Sequence, residues 1–184
     1  MTATSCAAWA LITLAFALGT AAVLWCRRVA LADRAERAGR PRDLMDAELI
    51  YMEKRFDVTE PVRLSTRLDR AYRKRSGLVV LVELKTRAVS RAFASDEIQL
   101  SAQKLALERT TRQVVANPGY VIVQTPDGVR EAHRVQLISE EAVVALVRRR
   151  AAIVAGLISP RPAASAKVCG TCAYQTICPD RRGR

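Results

Sequence analysis

With 184 residues, the chain has room for one modest domain and a short appendage, which excludes two full hydrophobic cores. Its 30 Lys and Arg residues outnumber its 18 Asp and Glu residues, and the net charge of +12 favours anionic partners, either nucleic acid or a negatively charged membrane surface. The 5 cysteines fall into an N-terminal pair and a C-terminal group of three, which excludes a secreted disulfide framework and is more typical of a metal site.

The first predicted element is an apolar N-terminal segment. Residues 7–25 carry no charge, and at about 1.5 Å per residue they nearly cross a hydrocarbon layer of roughly 30 Å. A cleaved signal peptide is the alternative, but no basic residue precedes the segment and Arg27 and Arg28 follow it directly. These flanking charges predict a single-pass transmembrane helix at residues 5–26, with the rest of the chain on the cytoplasmic side of the inner membrane.

A basic stalk and a short helix are predicted next. Residues 27–40 are rich in Ala and charged residues, which predicts a helical juxtamembrane stalk that ends before Pro41. Pro41 suits the first turn of a further helix, and we assign residues 42–52 to it. Its apolar residues at helical spacing are Leu44, Leu49 and Met52.

Three strands are predicted to follow, at residues 55–59, 62–72 and 78–86. Apolar and polar residues alternate in the second strand, and a polar turn containing Gly77 joins it to the third as a hairpin. The uninterrupted apolar run at the start of the third strand predicts a central strand that is buried on both faces.

The remaining elements complete an α/β (α+β) fold with a mixed central sheet flanked by helices. They are a helix at 95–115 with acidic residues in its first turn, strands at 120–125 and 130–137, and a helix from Ser139 to about residue 156. The predicted core therefore spans residues 41–160, and a cysteine-rich tail follows at 161–184.

Charged residues on the second and third strands form the candidate site. Because side chains alternate along a strand, Glu83 and Lys85 face the same side, and the hairpin can bring Asp69 beside them. Carboxylate oxygens suit Mg²⁺ or Mn²⁺, which can acidify a bound water and neutralise a phosphate, while a lysine can stabilise developing negative charge. An ordinary structural ion pair between Glu83 and Lys85 is the alternative.

The order of these residues resembles the PD-(D/E)xK nuclease superfamily, over about residues 48–180. Asp69 stands fourteen positions before Glu83, which begins the E-x-K motif. The following helix carries Gln99 and Gln103, similar to a Q-x-x-x-Y element with Gln in place of Tyr. A C-x2-C-x5-C cluster then resembles the tail of RecB-like nucleases, and in particular of CRISPR-associated adaptation nucleases. Its members are Cys169, Cys172 and Cys178.

The resemblance implies a metal-dependent deoxyribonuclease that hydrolyses phosphodiester bonds. It implies that Asp69, Glu83 and the carbonyl of Leu84 bind Mg²⁺ or Mn²⁺. Lys85 becomes the catalytic lysine, and Gln99 would position the DNA or the water network. It further implies DNA as partner, and a helicase or another DNA-processing protein as a possible second one.

An upstream acid completes the site in the family. Glu53, just before the first predicted strand, resembles the family's E-x-x-F element, and Glu48 is its rival. His133 is the only histidine and lies on a late strand, so we expect it to be a structural or surface residue.

The cysteine tail has three interpretations. The resemblance implies a [4Fe–4S] cluster that takes a fourth ligand from elsewhere, for which Cys26 and Cys6 are the N-terminal candidates. Zinc is the second possibility, and a tail without metal is the third.

Six basic residues near the predicted strands could line a groove for the phosphate backbone, or could form an ordinary solvated surface. They are Arg70, Arg73, Lys74, Arg75, Arg87 and Arg91. Two further functions compete with the nuclease: a non-catalytic DNA-binding or scaffold protein with the same fold, and a membrane-tethered iron–sulfur or metal sensor.

Overall fold

The computed structural model describes residues 3–161, 166–170, 172–173, 175–176 and 178 of the chain. Within these, the side chains of residues 3–15, 32–33, 35, 38 and 166–167 lie outside the description. The chain divides into two compact units, one comprising Met1–Val58 and Leu64–Ile138 and the other Thr59–Arg63 and Ser139–Arg184.

The first unit opens with a long helix, α1 (Ala3–Ala38). Its end agrees with the predicted end of the stalk at residues 27–40. Over the residues that the structure describes, no helix combines the length and apolarity needed to cross a membrane. The side chains at 5–15, which make up half of the predicted transmembrane helix at 5–26, lie outside the described residues.

The predicted helix at residues 42–52 is wrong. A single 3₁₀ turn (Arg42–Leu44) is followed by a long strand, β1 (Glu48–Val58). Its residues pair with the next strand from Glu48↔Arg73 to Val58↔Leu64, and this ladder outweighs a weak helical periodicity. Met52, assigned to the buried face of that helix, is 61% exposed.

The other elements lie within a few residues of their predicted positions. They are β2 (Leu64–Arg73), β3 (Val79–Thr86), α2 (Ala94–Thr111), β4 (Gly119–Gln124) and β5 (Arg130–Val135). The five strands form one sheet in the order β1-β2-β3-β4-β5. Only β3 and β4 are parallel, so the predicted mixed sheet is confirmed.

The central strand β3 separates two hydrophobic clusters. One cluster packs Val79 and Leu81 against Leu100 and Leu107 of α2. The other lies on the opposite face, where Val80 and Val82 pack with Leu44, Tyr72 and Ile122. Burial of β3 on both faces, predicted from its apolar run, is confirmed.

The second unit contains α3 (Glu140–Val154) and the short helix α4 (Ala166–Gly170). The predicted cap at Ser139 is present, because its side chain accepts a hydrogen bond from the backbone N–H of Ala142 at 3.3 Å.

Candidate active site

The β2–β3 hairpin brings Asp69 next to Glu83. Arg70 of β2 pairs with Val82 of β3, so Asp69 lies opposite Glu83. The Glu83 side chain lies on the sheet face that α2 covers. Asp69 Oδ2 accepts a hydrogen bond from the backbone N–H of Leu84 at 2.8 Å. The three residues of the predicted motif, Asp69, Glu83 and Lys85, therefore meet at one end of the hairpin.

Glu83 is held by a set of donors from β3 and α2. Its carboxylate is only 2% exposed and accepts hydrogen bonds from Lys85 Nζ at 2.7 Å, Gln99 Nε2 at 2.6 Å and Gln103 Nε2 at 2.8 Å. Lys85 Nζ also donates to Gln99 Oε1 at 2.9 Å, which closes a ring of contacts. Charge-assisted bonds of this kind are about twice as strong as neutral ones, so Glu83 has one defined position.

Gln103 is a member of this site that the sequence analysis did not assign to it. Its spacing of four residues from Gln99 places both side chains on one face of α2, and this spacing was the available signal. Gln103 is completely buried, and its Nε2 also donates to the Arg67 carbonyl oxygen at 3.1 Å.

Negative charge accumulates around Asp69. Burial raises the pKa of the Asp69 carboxyl, and the charges of Glu83 and Glu53 raise it further. The hydrogen bond from Leu84 and the charge of Lys85 act in the opposite direction, but they do not outweigh the first three effects. A cation bound at Asp69 would oppose these effects, because it favours the ionised carboxylate.

The two rival upstream acids lie at different distances from Asp69 along the sheet. Glu53 is close enough for its charge to raise the pKa of Asp69, and its carboxylate accepts a hydrogen bond from Arg67 Nε at 2.7 Å. Glu48 is the first residue of β1, where it pairs with Arg73 at 2.9 Å. Glu53 is therefore the acid that shares the neighbourhood of Asp69.

A buried ionic cluster on the opposite face of the sheet was not predicted. Glu36 of α1 accepts three hydrogen bonds from Arg40, at 2.9, 3.0 and 2.6 Å, and one from the Tyr72 hydroxyl, while Arg70 lies 3.7 Å away. Burial opposes ionisation of Glu36, but these partners outweigh it and lower its pKa. Burial and the Glu36 charge raise the pKa of Tyr72 to about 12. The cluster fastens the end of the predicted stalk onto β2.

Five of the six basic residues that could line a phosphate groove pair with carboxylates. This pairing favours an ordinary solvated surface for them over a groove for nucleic acid. The pairs are Arg73–Glu48, Lys74–Asp43 and Arg87–Asp96 at 2.9 Å, Arg75–Asp46 at 3.8 Å and Arg70–Glu36 at 3.7 Å. Arg91 instead stacks over the ring of Phe93 at 4.4 Å.

His133 lies on β5, and its Nε2 is 3.0 Å from the Ser90 hydroxyl. None of its hydrogen-bond partners belongs to the motif on β2 and β3.

The described part of the cysteine tail contains a turn. The backbone N–H of Cys172 donates to the Cys169 carbonyl at 3.2 Å, and Cys178 is exposed. Across the described ranges, no three His, Cys, Asp or Glu side chains are grouped so that they could hold a metal ion.

The residues around Asp69 nevertheless fit a divalent cation by their chemistry. Asp69 and Glu83 supply hard oxygens, and two carboxylates with a backbone carbonyl require no third acidic side chain. Burial first, and then the charges of Glu83 and Glu53, raise the pKa of Asp69, and a bound cation would favour the ionised carboxylate against these effects. In addition, the buried Oε1 of Gln103 has no hydrogen-bond partner, so an acceptor remains available beside Glu83.

The chain matches a family model and is similar in fold to solved structures. A family model described as the PD-(D/E)XK nuclease superfamily matches residues 10–179. The crystal structure of SSO0001 matches with a TM-score of 0.50 at 19% identity, over 88% of this chain and 72% of that chain, and supports the fold alone. A candidate exonuclease from Eubacterium rectale matches with a TM-score of 0.47 at 10% identity, over 78% of this chain and 57% of its own. No curated protein matches the chain.

Proposed function

Because this chain belongs to the PD-(D/E)XK nuclease superfamily, we propose that it hydrolyses phosphodiester bonds of DNA with the help of Mg²⁺ or Mn²⁺. One observation carries the proposal. The acids Asp69 and Glu83 meet on the α2 face of the sheet together with Lys85, and Gln99 bonds both Glu83 and Lys85.

The residues would divide the chemistry between them. Asp69, Glu83 and the Leu84 carbonyl would hold the ion, which when bound supplies positive charge and a more acidic water. Lys85 is oriented by Glu83 and Gln99, and its side chain is 26% exposed, so its ammonium can reach a phosphate oxygen. Its charge would stabilise the negative charge that develops there.

Glu53 is the proposed additional acid of the site. It lies near enough to influence Asp69 electrically, but its carboxylate pairs with Arg67, which would have to release it for a direct role.

A cleavage assay tests the proposal. The full-length chain is incubated with linear, circular, single-stranded and double-stranded DNA, and with RNA, in Mn²⁺, Mg²⁺ or EDTA. We expect DNA cleavage that requires the divalent ion, and a fall of about 10²–10³-fold or more in the Lys85→Ala variant. Lys54→Ala, which removes an exposed lysine of β1, is the matched control. Cleavage by folded Lys85→Ala at the wild-type rate would rule out the assigned site.

A second candidate is a non-catalytic DNA-binding protein with the same fold. It is favoured by the contacts of Lys85 and Glu83, because the two groups neutralise each other as an ordinary ion pair does. Its signature would be salt-sensitive DNA binding without cleavage in any divalent ion.

Membrane attachment through residues 5–26 is also part of the proposal. The uncharged run at 7–25 and the basic residues Arg27 and Arg28 support it, with the remainder of the chain on the cytoplasmic face. Retention of the full-length chain in membranes after alkaline extraction is the expected result. Release of the whole population into the supernatant would contradict it.

The cysteine tail is proposed to bind a metal, either as a [4Fe–4S] cluster or as zinc. The spacing of Cys169, Cys172 and Cys178 supports this proposal. Anaerobically purified protein should then be brown or contain zinc, and colourless protein without metal would refute both forms.

A further inference from the structure

Three acidic residues lie in a row across the first three strands. The pairs on either side of Glu53 in the β1–β2 ladder place it opposite Asp69, which in turn lies opposite Glu83. Neighbouring strands are about 4.8 Å apart, so the three backbone positions span about 10 Å. Two of these acids have a cationic partner: Glu83 has Lys85, and Glu53 has Arg67.

The backbone of β1 is distorted at Glu53 itself. Its φ of 52° lies in the left-handed region, which is unfavourable for a residue other than glycine. Tyr51 and Phe56 lie on either side of it, and their rings meet edge to face with 5.4 Å between the centroids. Residues five apart face opposite sides of a regular strand, so this contact shows that the alternation is interrupted between them. Strained backbone of this kind clusters at functional sites, which favours Glu53 over the other acids of β1 as a functional residue.

Arg67 of β2 is attached to the row of acids at two points. Its guanidinium donates to the Glu53 carboxylate through Nε, at 2.7 Å, and through Nη2. Its carbonyl oxygen accepts a hydrogen bond from Gln103 Nε2 at 3.1 Å, and the same amide nitrogen donates to Glu83 at 2.8 Å. The side chain of Arg67 is nevertheless 67% exposed. Its backbone is therefore fixed beside the candidate active site, while its guanidinium has the room to change partner.

We propose that Arg67 exchanges one partner for another: it neutralises Glu53 until a divalent cation binds at the acids, and it then contacts a phosphate of the nucleic acid, an inference that rests on the proposed function. A guanidinium and a divalent cation are both attracted to the Glu53 carboxylate, so they compete for it. An exposed ion pair is weak, and a divalent ion can therefore replace it. The released guanidinium has a planar fork of donors that matches phosphate oxygens.

The structural alternative is an ordinary ion pair that joins β1 to β2. It predicts that removal of Arg67 lowers the stability in urea unfolding and does not make metal binding tighter. Arg55 provides the matched control, because it lies opposite Arg67 in the ladder and its side chain is 69% exposed. It bonds Asp57 at 3.1 Å, an acid outside the row.

Titration of Mn²⁺ into the full-length chain, in detergent and without nucleic acid, tests the first half of the exchange. Isothermal titration calorimetry gives the Kd, and Asp69→Ala defines the binding that does not involve the site. Arg67→Gln should bind Mn²⁺ about 2–5-fold more tightly than the wild type, the range set by the strength of an exposed ion pair. Arg67→Lys should stay close to the wild type, because it keeps the competing charge. Arg55→Gln should leave the Kd unchanged.

Binding of nucleic acid tests the second half. Fluorescence anisotropy follows a labelled DNA oligonucleotide at increasing KCl concentration, in a Lys85→Ala background so that the DNA stays intact. In Mn²⁺, the Arg67→Gln change should reduce the slope of log K against log [KCl] by about 0.7–0.9, the value for one phosphate contact. In EDTA it should leave the slope unaltered, because Glu53 retains the guanidinium.

The outcomes separate this proposal from the proposed function. Mn²⁺ binding by folded Arg67→Gln that is no tighter than that of the wild type would overturn the exchange, as would an equal gain in Arg55→Gln. A loss of slope in Arg67→Gln that is the same in EDTA and in Mn²⁺ would also overturn it, because the phosphate contact would then be permanent. These results leave the cation site itself in place. If Asp69→Ala instead binds Mn²⁺ as tightly as the wild type does, the cation site of the proposed function is wrong as well.

Discussion

Replacing Gln103 by Met tests whether its hydrogen bond to Glu83 contributes more to cleavage than to the stability of the fold. The variant loses a hydrogen bond to a carboxylate at 2.8 Å and one to the Arg67 carbonyl at 3.1 Å. These bonds contribute about 1.5–3 and about 1 kcal/mol respectively. The wild type, however, buries Gln103 Oε1 without a partner, and removal of such an acceptor returns about 1–3 kcal/mol.

The expected net loss of stability is therefore small, about 1–2 kcal/mol, because Met also keeps the side-chain volume. The effect on cleavage should be larger. Glu83 would keep Lys85 and Gln99 but lose its third donor, and the loss of about 1.5–3 kcal/mol in positioning corresponds to a rate reduced about 10–100-fold.

Urea unfolding and single-turnover cleavage in Mn²⁺ measure the two effects separately. Gln113→Met is the control, because Gln113 also buries an unpartnered Oε1 but lies beyond the end of α2. Wild-type cleavage by Gln103→Met would refute the reasoning. So would an equal loss of cleavage in Gln113→Met, which would indicate a general effect of buried amides.

Three further predictions concern the scaffold. Glu36→Gln should destabilise the fold by about 3 kcal/mol at neutral pH; because the folded pKa of Glu36 is lowered, this difference should shrink as the pH falls below 4.5 in urea titrations. Gly119→Ala should cost about 1–3 kcal/mol in thermal unfolding, since its Cβ would lie 3.2 Å from the Leu81 carbonyl oxygen. Asp96→Asn should cost about 3 kcal/mol by the same assay, because it leaves the guanidinium of Arg87, bound at 2.9 and 3.0 Å, without its carboxylate.

Sequence reasoning succeeded where the signal is local. The apolar run of β3 needs burial on both faces whatever the rest of the chain does, and Ser139 and the residues after it specify a helix start by themselves. It failed for β1, whose structure depends on pairing with β2 and is not visible in a spacing of three apolar residues.

The hydrogen-bond partners of Gln103 and Glu36 were not predicted for a related reason, although the spacing of Gln103 from Gln99 indicated the face of α2 on which it lies. Each bonds a group distant in the sequence: Gln103 bonds Glu83, and Glu36 bonds Tyr72. Glu36 also lies in a charged, Ala-rich stretch, where a glutamate is usually a solvated residue. These side chains acquire their roles because α2 packs on one face of the sheet and the end of α1 brings Glu36 to Tyr72 on the other.

The position of the candidate site follows from where the β2–β3 ladder ends. The pairing of β2 with β3 runs from Arg73↔Val79 to Arg70↔Val82. Beyond this point β3 is paired with β4 alone. The backbone N–H of Leu84 then bonds the side chain of Asp69. A side-chain carboxylate thus takes the place of a strand partner, and the second Asp69 oxygen stays available beside Glu83.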